Sequence, residues 1–284
     1  MEMDSDRNML QMVQMSDQEF MTLTKYIKDH YGINLTKKRV LIEGRMSSVL
    51  RSRNIPNFKA YLDILFNDKT GAEMTTLLNK LTTNHTYFLR ENEHFNYLAQ
   101  EALPYLERVH GNDHSLRIWS AGCSSGQEPY TIAMALNEYF GTRRSLWKIQ
   151  LLATDISVNV LTKACNGIYE NESLNDVPQL WKTKYFKRLP DGNFQVTDSI
   201  RKSVDFRTLN LMDPFRFRKP FDIIFCRNVM IYFDGPTKEK LVNKFYDWST
   251  EGGFFFIGHS ENINKDTTRY RFIKPAIYQK GSRK

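Results

Sequence analysis

Cysteine is scarce: the chain has three among 284 residues, Cys123, Cys165 and Cys226. Their odd number and wide spacing exclude a disulfide framework and a zinc-ligand pattern, and fit a reducing cytoplasm. No histidine neighbours Cys123 in sequence, so it reads as a small residue in a tight turn rather than a nucleophile. Long apolar runs are also missing: nothing approaches the roughly eighteen residues of a membrane span, and the N-terminus carries no signal-peptide pattern. The dinucleotide fingerprint Gly-x-Gly-x-x-Gly is absent, as are zinc-finger spacing, the aromatic RNA-binding motif and any Pro-Pro pair. Internal repeats and low-complexity tracts are lacking.

What is present is an ordinary globular composition, 41% hydrophobic and 25% charged, in a chain long enough for one large or two modest cores. The formal net charge of +8 fits nucleic acid, a membrane surface or an acidic protein partner. Without nucleic-acid motifs, a partner rich in Glu and Asp is served equally well.

Residues 1–15 are polar and methionine-rich and are expected to form a flexible leader. Ser16 and Glu19 make a capping box, followed by Phe20, Leu23, Ile27 and Tyr31 at helical spacing. A second helix is predicted over roughly 36–53, burying Ile42, Met46, Val49 and Leu50 and carrying Lys37, Lys38, Arg45 and Arg51 on its other faces. Such a basic face is either merely solvated or a docking surface. Helices over 58–66 and 73–81 complete a small all-α domain spanning 16–82. Residues 83–110 read as an interdomain junction. From 111 to 284 strand and helix alternate, with strands at 116–121, 149–154, 204–209, 221–226 and 253–258, which predicts a doubly wound, mostly parallel sheet. Short β runs at 270–273 and 276–279 close the chain. Between about 181 and 203 the alternation breaks around the turn signal Asp191-Gly192, read as a small β subdomain inserted on the main sheet.

The stretch LRIWSAGCSSGQEPY, 116–130, is a buried strand, a small-residue turn and the start of a helix. This order presents a ligand to a helix N-terminus. Glu128 sits where a phosphate would dock, repels it, and suits a ligand with positive charge, such as the sulfonium and ammonium of S-adenosylmethionine. A helix-start Glu favoured by the macrodipole is the plainer alternative. Asp155 ends the second strand, where an acidic residue accepts from ribose hydroxyls or caps the next helix. In TTNHTYFLRENEHF, residues 82–95, Asn84, Thr86 and Arg90 enter a helix at the junction, as ligand contacts or as caps. In FDIIFCRNVMIYF, residues 221–233, a buried strand runs into Arg227, Asn228 and Tyr232, the last a reactive hydroxyl or a core aromatic.

Taken together, TTNxTxFxR, AxCSSGxEPYT, ATDIS, FCRNVMIYF and GHSENI resemble the CheR family, the chemoreceptor glutamate methyltransferases of bacterial chemotaxis, over about residues 16–280. The resemblance implies a class I methyltransferase (Rossmann-like) sheet, with S-adenosylmethionine as donor, S-adenosylhomocysteine as product and no metal. It implies Asn84, Thr86, Arg90, Glu128, Asp155, Asn210, Leu211, Arg227 and Asn228 as cofactor contacts. Arg90 and Tyr232 match positions near the transferred methyl, and Lys38, Arg45 and Arg51 fall on its basic receptor-reading helix. Members that tether to a receptor's C-terminal pentapeptide carry a longer, glycine-containing loop than RLPDGNFQVTDSI, so no tether is expected. The implied partner is the cytoplasmic coiled coil of a chemoreceptor, met by a cytoplasmic monomer with no membrane insertion and no nucleic acid. The rivals are a nucleic-acid methyltransferase, disfavoured by the missing Pro-Pro-aromatic motif, and a nicotinamide dehydrogenase, disfavoured by Glu128. A non-catalytic receptor-binding or S-adenosylmethionine-sensing regulator would tolerate loss of Arg90 or Tyr232, and both are present.

Overall fold

The computed structural model describes residues 12–82 and 86–281, and the chain divides into two compact units, 1–84 and 85–284. Among the described residues the first unit holds four helices, α1 (Asp17–Tyr31), α2 (Arg39–Ser52), α3 (Phe58–Asn67) and α4 (Ala72–Leu81). The α1 capping box forms as the spacing predicts: Glu19 donates its N–H to Ser16 Oγ, and Glu19 Oε2 accepts from the Ser16 N–H at 2.7 Å. Ile42, Met46, Val49 and Leu50 of α2 are buried. That helix begins at Arg39, so Lys37 and Lys38 precede it; Lys38 is its N-cap residue and makes no side-chain cap. The last residues of the expected leader are held: the Val13 N–H donates to Ser47 Oγ at 2.8 Å and the Met15 N–H to the buried Glu43 at 2.9 Å.

The second unit opens with a helical run in the stretch read as a junction: α5 (Glu93–Tyr97), a π-helical turn Leu98–Ala102 and α6 (Leu103–Val109). Its apolar face, Phe95, Leu98, Ala102, Leu103 and Leu106, packs into the sheet's core. Then follow β1 (Ser115–Ala121), α7 (Gln127–Phe140), β2 (Lys148–Asp155), α8 (Val158–Asn166), β3 (Ile168–Tyr169) and α9 (Gln179–Tyr185). The chain continues through β4 (Phe186–Arg188), β5 (Phe194–Val196), α10 (Asp198–Arg201), β6 (Val204–Thr208) and β7 (Phe221–Cys226). It ends with α11 (Gly235–Asp247), β8 (Ser249–Ile257), β9 (Arg271–Lys274) and β10 (Ile277–Gln279).

Seven strands form the main sheet in the order β6-β2-β1-β7-β8-β10-β9, parallel except for β10, which runs antiparallel to both neighbours. Alternation along the strands feeds two cores. One face sends Ile118, Leu151, Ile223 and Phe256 towards α5–α8, the other sends Trp119, Ile224 and Phe255 against α11. Trp119 is fully buried, with its Nε1–H on Thr154 Oγ1 at 2.9 Å. The small antiparallel sheet has the order β3-β5-β4. It therefore takes Ile168–Tyr169 from before the expected insertion at 181–203, where the first residues are helical instead. Its tight turn is the one Asp191-Gly192 signals, with Gly192 at φ +88.

Candidate functional site

Beyond their C-terminal ends β1 leads back to β2 on one side and β7 leads to β8 on the other, so the strand order reverses between them. Ligands of open α/β sheets settle at such a switch point. The turn after β1 is tied to the end of β2 by the Gly122 and Cys123 N–H groups, both donating to the Thr154 carbonyl, at 2.8 and 2.9 Å. Gly122 lies at φ +87, and a Cβ there would stand 2.3 Å from Val229 Cγ2, so no side chain fits.

Asp155 organises this turn. Its Oδ2 accepts from the Ser124 N–H at 2.8 Å and its Oδ1 from the Ser157 N–H at 3.0 Å. Ser157, not Asp155, is the N-cap of α8, taking the Val160 N–H on its hydroxyl, so the plain capping reading of Asp155 fails. Burial pushes the Asp155 carboxyl above its ordinary value, against the pull of the backbone N–H donors. The Leu209 N–H donates to the Asp155 carbonyl at 3.0 Å, which brings Asn210 to the same edge. Asn210 Oδ1 accepts from the Met212 N–H at 3.0 Å. Leu211 turns its side chain into the core with Phe215 and Phe245, while Lys244 holds the Leu211 and Asp213 carbonyls at 2.6 and 2.7 Å. Burial lowers Lys244 to about 8.

Glu128, in the first turn of α7, is more than a helix-start acid. Its Oε1 accepts from Ser120 Oγ at 2.7 Å and its Oε2 from Arg227 Nη1 at 2.9 Å. Arg227 is buried and gathers the site: Nη2 also donates to the Arg90 carbonyl and, at 3.1 Å, to Glu91 Oε2. Asn228, at φ +59, donates its N–H to Glu261 Oε2 at 2.9 Å. Glu261 also accepts from the Gly258 and Ile231 N–H groups, stitching the loops after β7 and β8 together. Tyr232 ends the short turn Met230–Tyr232 and is half-buried. Arg90 and Thr86 are half-buried on the approach to α5, with the Arg90 guanidinium 5.8 Å from the Tyr87 ring centre. Asn84 lies outside the described residues.

The sequence reading assigned no role to Glu91, His94, His259 or Glu261. Burial works against ionisation of Glu91, but Arg227 and the His259 N–H outweigh it and hold the carboxyl below its ordinary value. Burial, reinforced by Arg227, lowers His94 to about 3, so its ring is neutral. Glu91, His94 and His259 each offer a ligand atom within 4.8 Å of the others. The Arg227 guanidinium already pairs with Glu91 Oε2 there, at 3.1 Å. Only GHSENI carries a local signal, polar residues directly after a strand that should be buried; Glu91 and His94 flank the start of a helix and meet that loop only through the fold.

In the helical unit Lys38 and Arg51 are exposed. Arg45 donates from Nη1 to the Lys80 carbonyl at 2.7 Å and to the Thr82 carbonyl at 3.4 Å, capping the C-terminal end of α4. Its observed contact is structural, as expected for a cation at the negative end of a helix.

The donor set fits a cationic nucleoside: Glu128 and Asp155 are both acidic, and the Ser124 hydroxyl is buried with no hydrogen-bond partner among the described residues. This sheet order, with an acid-lined turn after the first strand and a second acid after the next, is that of an S-adenosylmethionine-dependent methyltransferase. The chain belongs to the CheR methyltransferase family: the S-adenosylmethionine-binding domain matches residues 84–278 and the all-alpha domain residues 18–82. It is 44% identical over 272 residues to the chemotaxis protein methyltransferase of Borreliella burgdorferi, covering 94% of this chain and 96% of that one. It is 36% identical over 275 residues to that of Escherichia coli, covering 95% and 93%.

Proposed function

We propose that this chain methyl-esterifies glutamate side chains in the cytoplasmic coiled coil of bacterial chemoreceptors, using S-adenosylmethionine and no metal. The observation that carries the reading is Arg227: one buried guanidinium holds the donor-side acid Glu128 and the backbone of Arg90 together. Glu128 and Asp155 would hold the donor's cationic and ribose ends, with Thr86, Asn210, Asn228 and the Leu211 backbone around them and Asn84 completing the set. When bound, the donor supplies an electrophilic methyl group. A glutamate carboxylate, with an ordinary pKa near 4.3, is already ionised at neutral pH, so the chain need not supply a base. Its task is alignment. Arg90 orients the acceptor carboxylate by paired hydrogen bonds, and the Tyr232 hydroxyl supplies one more donor.

Lys38 and Arg51, together with Arg45 where its helix-capping contact permits, face the acidic receptor helix. The tight turn at Asp191-Gly192 leaves a short loop, so docking proceeds without a receptor pentapeptide tether, and the enzyme acts as a cytoplasmic monomer. Radiolabelled donor incubated with receptor cytoplasmic fragments tests the reading. Base-labile label on receptor glutamates is expected, Tyr232→Phe should lower turnover, and trimming the receptor's last five residues should not. Base-stable label, or label on nucleic acid, would overturn it.

A further inference from the structure

We infer that Glu91 is a positioning residue for Arg90, its half-buried carboxylate pinning the strained turn that carries Arg90 to the ends of β7 and β8. The inference rests on the reading of Arg90 as the group that orients the acceptor carboxylate. Leu89 and Glu91 flank Arg90 at φ +59 and +53, a left-handed conformation that side-chain-bearing residues keep only where their surroundings over-determine it. The surroundings do so here. Glu91 Oε2 accepts from Arg227 Nη2 at 3.1 Å, and Glu91 Oε1 accepts from the His259 N–H at 3.2 Å and from Asn228 Nδ2 at 3.4 Å. Arg227 Nη2 reaches past Glu91 to the Arg90 carbonyl, and the Leu89 N–H donates to Thr131 Oγ1 of α7 at 3.4 Å. Leu89 is thus tied to α7, the Arg90 carbonyl and Glu91 share Arg227 after β7, and Glu91 alone also reaches His259 after β8.

A charge network built on the buried Arg227 fixes direction, and misplacement of an orienting group by about 1 Å can cost roughly 100-fold in rate. Glu91→Gln is the sharpest probe. It keeps the shape and the Oε1 acceptor, but turns an amide N–H towards Arg227 where an oxygen accepted.

In the full chain, Glu91→Gln should lower kcat at least tenfold and leave the donor KM and the S-adenosylhomocysteine Kd within threefold. A double-mutant cycle with Arg90→Ala then separates positioning from mere support. If Glu91 acts through Arg90, adding Glu91→Gln to Arg90→Ala lowers kcat no further than twofold. Effects that multiply, or a Glu91→Gln enzyme within twofold of the parent, would overturn the inference. Should the amide variant not fold, Glu91→Asp keeps the charge beside Arg227 and reads the same coupling. Unchanged turnover in Arg90→Ala alone would remove the role of Arg90 and the inference with it, a failure visible in that single variant.

Discussion

At the residue scale, the site is a set of carboxylates whose environments push them in different directions. Asp155 is raised by burial while it organises the turn after β1, whereas Glu91, although burial opposes its charge, is held below its ordinary value chiefly by Arg227. Asp155→Ala should weaken donor affinity by about 1–3 kcal/mol, the usual cost of losing hydrogen bonds to a charged group. Titration calorimetry with S-adenosylhomocysteine reads it directly, and unchanged affinity would remove Asp155 from the donor site. His94 supplies a pH prediction. Folded, it protonates only near pH 3, whereas the unfolded chain protonates it near 6.5. Between these values the unfolded state binds the extra proton. The stability His94 contributes is therefore complete above about pH 6.5 and is lost as pH falls towards 3, by up to about 1.4 kcal/mol per pH unit. His94→Phe should flatten the fall in urea midpoint between pH 6.5 and 5.5, before ordinary carboxylates titrate. An equal slope in both proteins would mean that His94 is not the group responsible.

At the scale of elements, local signals were legible wherever the cause is local. The Ser16–Glu19 box, the Asp191-Gly192 turn and the strand 221–226 appear where spacing and turn chemistry put them. The junction is read as entering a helix, but the extent of that run, Glu93 to Val109, is hidden because a π turn interrupts it and breaks the 3.6 period. Lys37 and Lys38 fall inside a helix predicted from Thr36, a residue type that often caps, but α2 starts at Arg39 without a side-chain cap. Of the candidate site, Glu128 at a helix start and Asp155 at a strand end are legible from their local positions, whereas Glu91 and Glu261 act on backbone N–H groups of distant loops that no spacing brings together. The turn after β1 is the element where backbone conformation and function coincide. Gly122→Ala meets both the positive φ and Val229, so it should lower stability by about 1 kcal/mol or more and weaken donor binding. Pairing it with Val229→Ala removes the clash but not the strained φ. The double variant should recover part of the stability in a thermal scan; full recovery would show the backbone strain to be negligible.

At the scale of the whole molecule, the +8 charge is unevenly shared. Residues 1–84 carry 12 Lys or Arg against 10 Asp or Glu, so most of the excess lies on the methyltransferase unit. Net charge and the basic helix are therefore separable causes of receptor attraction. Exposed ion pairs contribute little each, typically 0–1 kcal/mol, and are screened over about 10 Å at 0.1 M salt. A long-range effect of net charge would raise association with any acidic surface, wherever the basic residues sit. A docking helix acts only through its own residues. Lys38→Glu with Arg51→Glu changes the total by four charges; Arg45 is left alone, because reversing it would also uncap α4. Arg216→Glu with Arg218→Glu changes the total equally on exposed positions of the loop before β7. The helix pair should raise the receptor KM severalfold, more at 20 mM than at 300 mM salt, with donor Kd unchanged. The loop pair should move it far less. Equal effects from the two would mean that charge alone steers the encounter and that the helix reads nothing. A loop pair that outweighs the helix pair would move receptor recognition to the methyltransferase unit, where most of the positive excess lies.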